Sequence, residues 1–153
     1  FASQTWRLGA RYELVRLTDN PKSKIVGRGC KVAAKRILAI EDHEESRRLL
    51  RDLLTSFGYE LVEAVTGEDG VTAAETERPD LILMDIQLPG IDGYETTRRI
   101  KANPALKQIP IIAVTSYALS GDDAKAFAAG CDAYVTKPFD PVELLEKIRG
   151  YLG

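Results

Sequence analysis

Four consecutive apolar residues, Leu81-Ile82-Leu83-Met84, leave this segment without a polar face. A strand of that kind must be covered on both sides, which is the situation of a parallel sheet held between helices. Similar short runs recur at Ile37-Leu38-Ala39-Ile40, Ile111-Ile112-Ala113-Val114 and Ala133-Tyr134-Val135, and Leu61–Val65, interrupted by Glu63, reads as a further strand. Between them the apolar spacing changes to that of a helix. Glu44–Phe57 carries Leu49, Leu50, Leu53, Leu54 and Phe57 on one stripe and is stopped by Gly58. Glu68–Glu77 ends before Pro79, Tyr94–Ala102 follows the Pro89-Gly90 turn, and Asp122–Ala129 is closed by Gly130. Val142, Leu145, Ile148 and Leu152 mark the inner stripe of a last helix. Five strands alternating with five helices predict an α/β sandwich around a parallel sheet.

In such a sheet, ligands bind beyond the carboxyl ends of the strands, where the strand order reverses. The first strand runs into Glu41-Asp42, the third into Asp85, the fourth into Thr115-Ser116, and the fifth through Thr136 into Lys137-Pro138. The second ends in the chemically mild Val65-Thr66. Each residue alone has an ordinary explanation: Asp85 as a helix cap, Glu41-Asp42 as first-turn acids, Lys137 as a solvated surface residue. Together they set three acids, a hydroxyl and one lysine on a single rim. Three carboxylates so close need either a proton or a cation. Oxygen-only ligands favour Mg²⁺, with Mn²⁺ or Ca²⁺ as alternatives, over zinc. Such a site suits a phosphoryl group on Asp85, its charge shared by the metal and Lys137 while Thr115 donates a hydrogen bond.

The segment from Ile37 to Gly153 resembles the receiver domains of two-component response regulators. The matching motifs are Ile-Leu-Ala-Ile-Glu-Asp (37–42), Leu-Met-Asp-Ile-Gln-Leu-Pro-Gly-Ile-Asp-Gly (83–93), Ala-Val-Thr-Ser (113–116) and Ala-Tyr-Val-Thr-Lys-Pro-Phe (133–139). The resemblance implies a flavodoxin-like (βα)5 three-layer sandwich with strand order 2-1-3-4-5. It also implies that Asp85 takes a phosphoryl group from a phosphohistidine on a sensor histidine kinase or histidine phosphotransfer protein. Mg²⁺ would then be held by Asp42, Asp85 and the backbone carbonyl of Gln87, with Glu41 acting through water. Lys137 and Thr115 would contact the phosphoryl oxygens, and Tyr134 would follow Thr115 inward. Pro138 often sits behind a cis peptide in this family. The output surface would be the face built by the fourth helix, the fifth strand and the fifth helix, read by a downstream protein target. The implied role is a phosphoacceptor regulatory domain that promotes only its own phosphoryl transfer and dephosphorylation.

Two other classes compete. Aspartyl-phosphate-forming hydrolases of the haloacid dehalogenase type also place an Asp nucleophile after a parallel strand. They carry a second Asp two residues on as acid/base, and here that place is Gln87, which cannot transfer protons. A receiver-like binding module that is never phosphorylated is the other, and the presence of Asp42, Asp85, Thr115 and Lys137 argues against it. Gly67, Gly70, Gly90 and Gly93 form no dinucleotide fingerprint, and no phosphate-binding GxxxxGK[ST] is present. His43, the sole histidine, stands beside Glu41, Asp42, Glu44 and Glu45 and invites reading as a metal ligand or a phosphohistidine. As it opens a helix, it is expected to face solvent.

Residues 1–35 stand apart from the resemblance. They carry eight Lys/Arg against Glu13 and Asp19, whereas the rest of the 153-residue chain holds 13 basic and 21 acidic residues. This arm is read as a basic extension or linker of uncertain origin, ahead of a receiver domain over 36–153. It has no periodic apolar face and only Trp6 and Tyr12 among its basic residues, so no direct nucleic-acid or membrane binding is expected. Arg11–Leu17 has the character to pair as an edge strand or to self-associate into a homodimer. Cys30 and Cys131 lack CxxC spacing and are expected to be incidental reduced thiols. No apolar run reaches a bilayer span and the N-terminus lacks the core of a secretory signal, so the expected compartment is cytoplasmic. With its last helix running to Gly153, the chain is expected to be a stand-alone receiver, similar around 115–122 to cell-division and hybrid-kinase receivers. Its opening Phe1 points to a fragment or processed product.

Overall fold

The computed structural model describes residues 34–116 and 122–153. The basic arm, its Arg11–Leu17 segment and most of the 115–122 stretch therefore lie outside the described residues. Ten elements alternate along the chain: β1 (Arg36–Ile40), α1 (Glu44–Ser56), β2 (Glu60–Ala64), α2 (Gly67–Glu77), β3 (Leu81–Asp85), α3 (Gly93–Ala102), β4 (Ile111–Thr115), α4 (Asp122–Ala129), β5 (Ala133–Thr136) and α5 (Pro141–Leu152). The strands form one sheet in the order β2-β1-β3-β4-β5. Every pairing is parallel. This is the flavodoxin-like arrangement, with its reversal of winding between β1 and β3.

The uninterrupted apolar strands are buried as their composition requires. β3 and β4 are buried throughout, and β1 is buried from Ile37 to Ile40. On one side of the sheet Leu38, Ile40, Ile82, Met84, Ile111 and Ala113 join Ala74 of α2, Ile100 of α3 and Ala126 of α4 in one cluster. The alternate strand residues serve the opposite face, where α1 contributes Leu50, Leu53 and Leu54 and α5 contributes Leu144, Leu145 and Ile148.

Local chemistry sets the helix ends. α1 finishes in a Schellman motif: Gly58 adopts φ +84°, its N–H donates to the Thr55 carbonyl, and Tyr59 N–H donates to that of Leu54. Thr66, Asp92 and Asp140 each accept a backbone N–H and cap α2, α3 and α5. At the end of the sheet away from the acidic rim, Lys101 Nζ donates to the carbonyls of Lys107 and Ile109 and to Asp132 Oδ2. That carboxylate oxygen also accepts the Ile111 N–H, and Tyr151 donates its hydroxyl to the Asp132 carbonyl.

Several sequence expectations shift. The second strand ends at Ala64, leaving Val65 exposed beyond it and Thr66 as a helix cap. Leu49 does not belong to the inner stripe of α1 and is 51% exposed, because four leucines span more than the arc that meets the sheet. Phe57 sits at the C-cap, where the Arg149 guanidinium lies 5.5 Å from its ring centre. In α5 the inner stripe is Leu144, Leu145 and Ile148, with Val142 and Leu152 only half-buried.

A methyl group on Gly93 would stand 2.4 Å from the Asp85 carbonyl oxygen and 2.6 Å from Ile86 Cα, both rigid backbone. Gly93→Ala is expected to lower stability in urea unfolding by about 1–3 kcal/mol. Gly150, inside α5 with open space within 4 Å of where a methyl would stand, should behave oppositely. Gly150→Ala is expected to raise stability by about 0.5–1 kcal/mol in the same assay.

Candidate phosphoacceptor and metal site

The parallel register brings the ends of β1 and β3 side by side, Ile40 opposite Met84. The residues that follow therefore emerge together. Asp85 is 3% exposed and Glu41 2%, while Asp42 is half-buried next to them. β4 ends beside β3 with the buried Thr115, and β5 places Thr136 opposite Thr115 so that Lys137 follows at the same rim. Lys137 N–H donates to the Thr115 carbonyl, and the Lys137–Pro138 peptide is cis. Of the residues singled out in the sequence, Glu41, Asp42, Asp85, Thr115 and Lys137 thus meet at one end of the sheet. Tyr134 lies opposite Ala113 in β5, half-buried against the core below them. Gln87 follows β3, its side chain exposed and its N–H donated to Asp85 Oδ1 at 3.1 Å.

Lys137 makes its closest ion pair with Glu41 Oε2, and its amine is 3.8 Å from Asp85 Oδ2. Glu41 is therefore more than an outlying acid: it is the direct partner of the lysine. Burial works to raise its pKa, but the Lys137 amine and the His43 backbone N–H prevail and hold it below the usual range. Asp85 goes the other way. Burial first, and the neighbouring Glu41 charge second, push it from 3.8 up to about 7, against the pull of Lys137 and the Gln87 N–H. A unit charge pair about 4 Å apart at an effective permittivity of ~20 is worth about 4 kcal/mol. One lysine can thus offset one carboxylate neighbour, and the burial of the second acid is left uncompensated.

Two contributors go beyond the sequence reading. Arg47, with only 12% of its side chain exposed, donates from one nitrogen to the carbonyls of both Glu41 and Asp42, at 3.0 and 2.9 Å. It also pairs with Glu44 and approaches Glu63, which is itself held in a two-point bond by Arg51. An arginine in the first turns of a helix reads as a surface charge unless the carbonyls above it are known. The second is His43. As expected its ring is largely exposed, at 70%, but its Nδ1 turns inward to 3.2 Å from Glu41 Oε1 and 3.0 Å from Asp42 Oδ1.

The donor set fits a divalent cation. Ligand atoms of Glu41, Asp42, His43 and Asp85 all lie within 4.8 Å of one another. Asp42 Oδ1 is buried and, apart from the charge contact with His43 Nδ1, has no hydrogen-bond partner, so it can accept a cation. The formal charges of three carboxylates and Lys137 leave two negative charges to be matched.

The model of the response regulator receiver domain family matches residues 37–149. The polar-differentiation response regulator DivK of Brucella anthropi is 42% identical over 119 residues, covering 78% of this chain and 97% of that protein. The receiver domain of the Pseudomonas aeruginosa sensor histidine kinase PA1611, solved with magnesium coordinated in its active-site cleft, is 38% identical with a TM-score of 0.74. That match covers 79% of this chain and 99% of the other. A CheY-like receiver from Methanospirillum hungatei is 35% identical, with a TM-score of 0.70, and covers 77% and 93%. The chain belongs to the response-regulator receiver domains. Its function is accordingly that of a phosphorylation-dependent signalling switch within two-component systems. Among the described residues, no helix is long and apolar enough to cross a membrane.

The raised Asp85 pKa gives a stability test in metal-free buffer. A group whose folded pKa is raised stabilises fully below its unfolded pKa, and that contribution is lost as pH rises through the folded value. The cost of ionising Asp85 therefore accrues between about 3.8 and about 7. Asp85→Asn escapes it, so the melting temperature of the variant is expected to exceed the parent's at pH 8. The difference should shrink steadily towards pH 4 in parallel thermal melts.

Proposed function

We propose that Asp85 is the phosphoacceptor and that Asp42, Asp85 and the Gln87 backbone carbonyl hold Mg²⁺, with Glu41 contributing through water. The observation that carries this reading is the buried Asp85 carboxylate, oriented by the Gln87 N–H and faced by Lys137 at 3.8 Å. In the reaction an Asp85 oxygen attacks the phosphorus of a phosphohistidine on a sensor histidine kinase or phosphotransfer protein. The P–O bond forms as the P–N bond breaks, and the electron pair leaves with the partner's imidazole. Bound Mg²⁺ would supply positive charge for the phosphoryl oxygens and favour the ionised form of Asp85. Lys137 is close enough to exchange its Glu41 contact for a phosphoryl oxygen, and Thr115 stands at the end of the adjoining strand to donate a hydrogen bond.

Phosphorylation would then bias two conformers by contacts made mainly in one of them. A differential of about 1–3 kcal/mol changes the active fraction by roughly fivefold to a hundredfold. Thr115 moving to the phosphoryl group would draw Tyr134 inward and alter the α4–β5–α5 face. Phe127 on α4 and Tyr151 on α5 are exposed large side chains on the two helices that border that face. Beyond its own phosphoryl transfer and dephosphorylation the domain turns over no substrate, since Gln87 offers no acid/base. Cytoplasmic location is part of the same reading, because the partner phosphohistidines are intracellular.

Asp85→Asn is expected to remain folded by circular dichroism and to take no label from radioactive acetyl phosphate or a phosphorylated kinase, while the parent takes about one equivalent only with Mg²⁺ present. Undiminished labelling of the variant would sink the assignment, and sustained release of phosphate would favour a hydrolase. Arg47→Met, which frees the Glu41 and Asp42 carbonyls, is expected to raise the Mg²⁺ concentration for half-maximal labelling about tenfold. The labelling rate at saturating Mg²⁺ should change little.

A further inference from the structure

The inward turn of His43 goes unused in the mechanism above. Nδ1 caps no N–H of α1, although His43 occupies the N-cap position. The residue is instead pinned to the acidic cluster twice, its backbone N–H and its Nδ1 both reaching Glu41 Oε1, at 3.1 and 3.2 Å. Nδ1 is also 3.0 Å from Asp42 Oδ1, yet that buried oxygen accepts no hydrogen bond from it. A proton on Nδ1 is shared towards Glu41 and reaches Asp42 Oδ1 only as a charge contact at 3.0 Å. A cation between them satisfies both.

The spacing agrees with that. Neighbouring ligands on an octahedral ion with bonds of about 2.1 Å lie about 3.0 Å apart, and opposed ones about 4.2 Å. The separations of Nδ1 from the two carboxylates, 3.2 and 3.0 Å, are those of neighbouring ligands in such a shell, and the 4.8 Å span of the four-residue set would have to close by about 0.6 Å to reach its opposed distance. Charge agrees as well. Once the ion takes the place of the proton on Nδ1, the two uncompensated negative charges are balanced by one dication, and the exposed remainder of the ring is left to water.

We propose that His43 is a nitrogen ligand to the ion held at Asp42 and Asp85, so that the pocket takes first-row divalent transition ions such as Co²⁺ and Ni²⁺ in preference to Mg²⁺. Imidazole adds little for Mg²⁺, which prefers oxygen, and much for Co²⁺ and Ni²⁺, which rise along the Irving–Williams order. The inference rests on the metal reading given under Proposed function and assigns a further residue to it.

His43 is the only histidine in the chain, so its ring signals in an NMR spectrum are assigned without ambiguity. Titrations are best run on a Cys30→Ser background, which leaves only the buried Cys131 thiol. One equivalent of Co²⁺ is expected to shift the His43 ring protons strongly. By calorimetry, Ni²⁺ should bind at least about tenfold more tightly than Mg²⁺, and His43→Ala should remove that advantage while leaving Mg²⁺ affinity within about twofold. His43→Asn, which can still cap α1, should match His43→Ala and exclude a loss through the helix end. Asp42→Asn separates the two readings. If it keeps full affinity for every ion, the metal site itself is misassigned. If it loses them while His43→Ala changes neither Ni²⁺ nor Mg²⁺, only the ligand role of His43 is overturned. Ni²⁺ binding that survives Asp42→Asn while Mg²⁺ binding does not also overturns it.

Discussion

Charge at the rim of the sheet is the constraint on which the site depends. Three carboxylates meet one lysine there, and two of the acids are almost wholly removed from water. Neither can be relieved by moving, because each is fixed by the strand that delivers it. The strain is therefore taken up chemically: Glu41 keeps its charge through Lys137, and Asp85 is left closer to neutrality. A carboxyl in that condition is sensitive to any cation or anion that enters, which is what a switch residue requires. The same deficit explains why metal and phosphoryl group belong to one site.

Much of this was legible along the chain, and for a specific reason. A strand buried on both faces has to be apolar until it leaves the sheet, so the first polar residue after each run marks the rim. Glu41, Asp42, Asp85, Thr115 and Lys137 could be placed together from that alone, and the parallel register bears out the placement. Strand ends were less secure where the run was short. Val65 reads as strand by composition but lies past the last ladder contact, at Ala64, since Leu61, Val62 and Glu63 before it are only half-buried and give little sign of where pairing stops.

Side chains whose role depends on direction were not legible. Arg47 and Leu49 are two residues apart on one helix; periodicity assigned Leu49 to the core and singled out nothing at Arg47. In the structure Arg47 reaches back over the β1–α1 connection while Leu49 is exposed. The choice of Glu41 as the lysine's nearest partner, and the rotation of His43 Nδ1 towards the acids, likewise follow from torsions that no sequence spacing encodes.

The Lys101 hub at the far end of the sheet carries a different consequence. One ammonium group gathers two carbonyls and a carboxylate, and through Asp132 it binds α3, β4, β5 and α5 into a fixed base. These contacts join, at the far end of the sheet, the same strands that carry Thr115 and Tyr134 towards the rim. A lesion at Lys101 or Asp132 would then mimic a signalling defect while lying a full strand length from the chemistry.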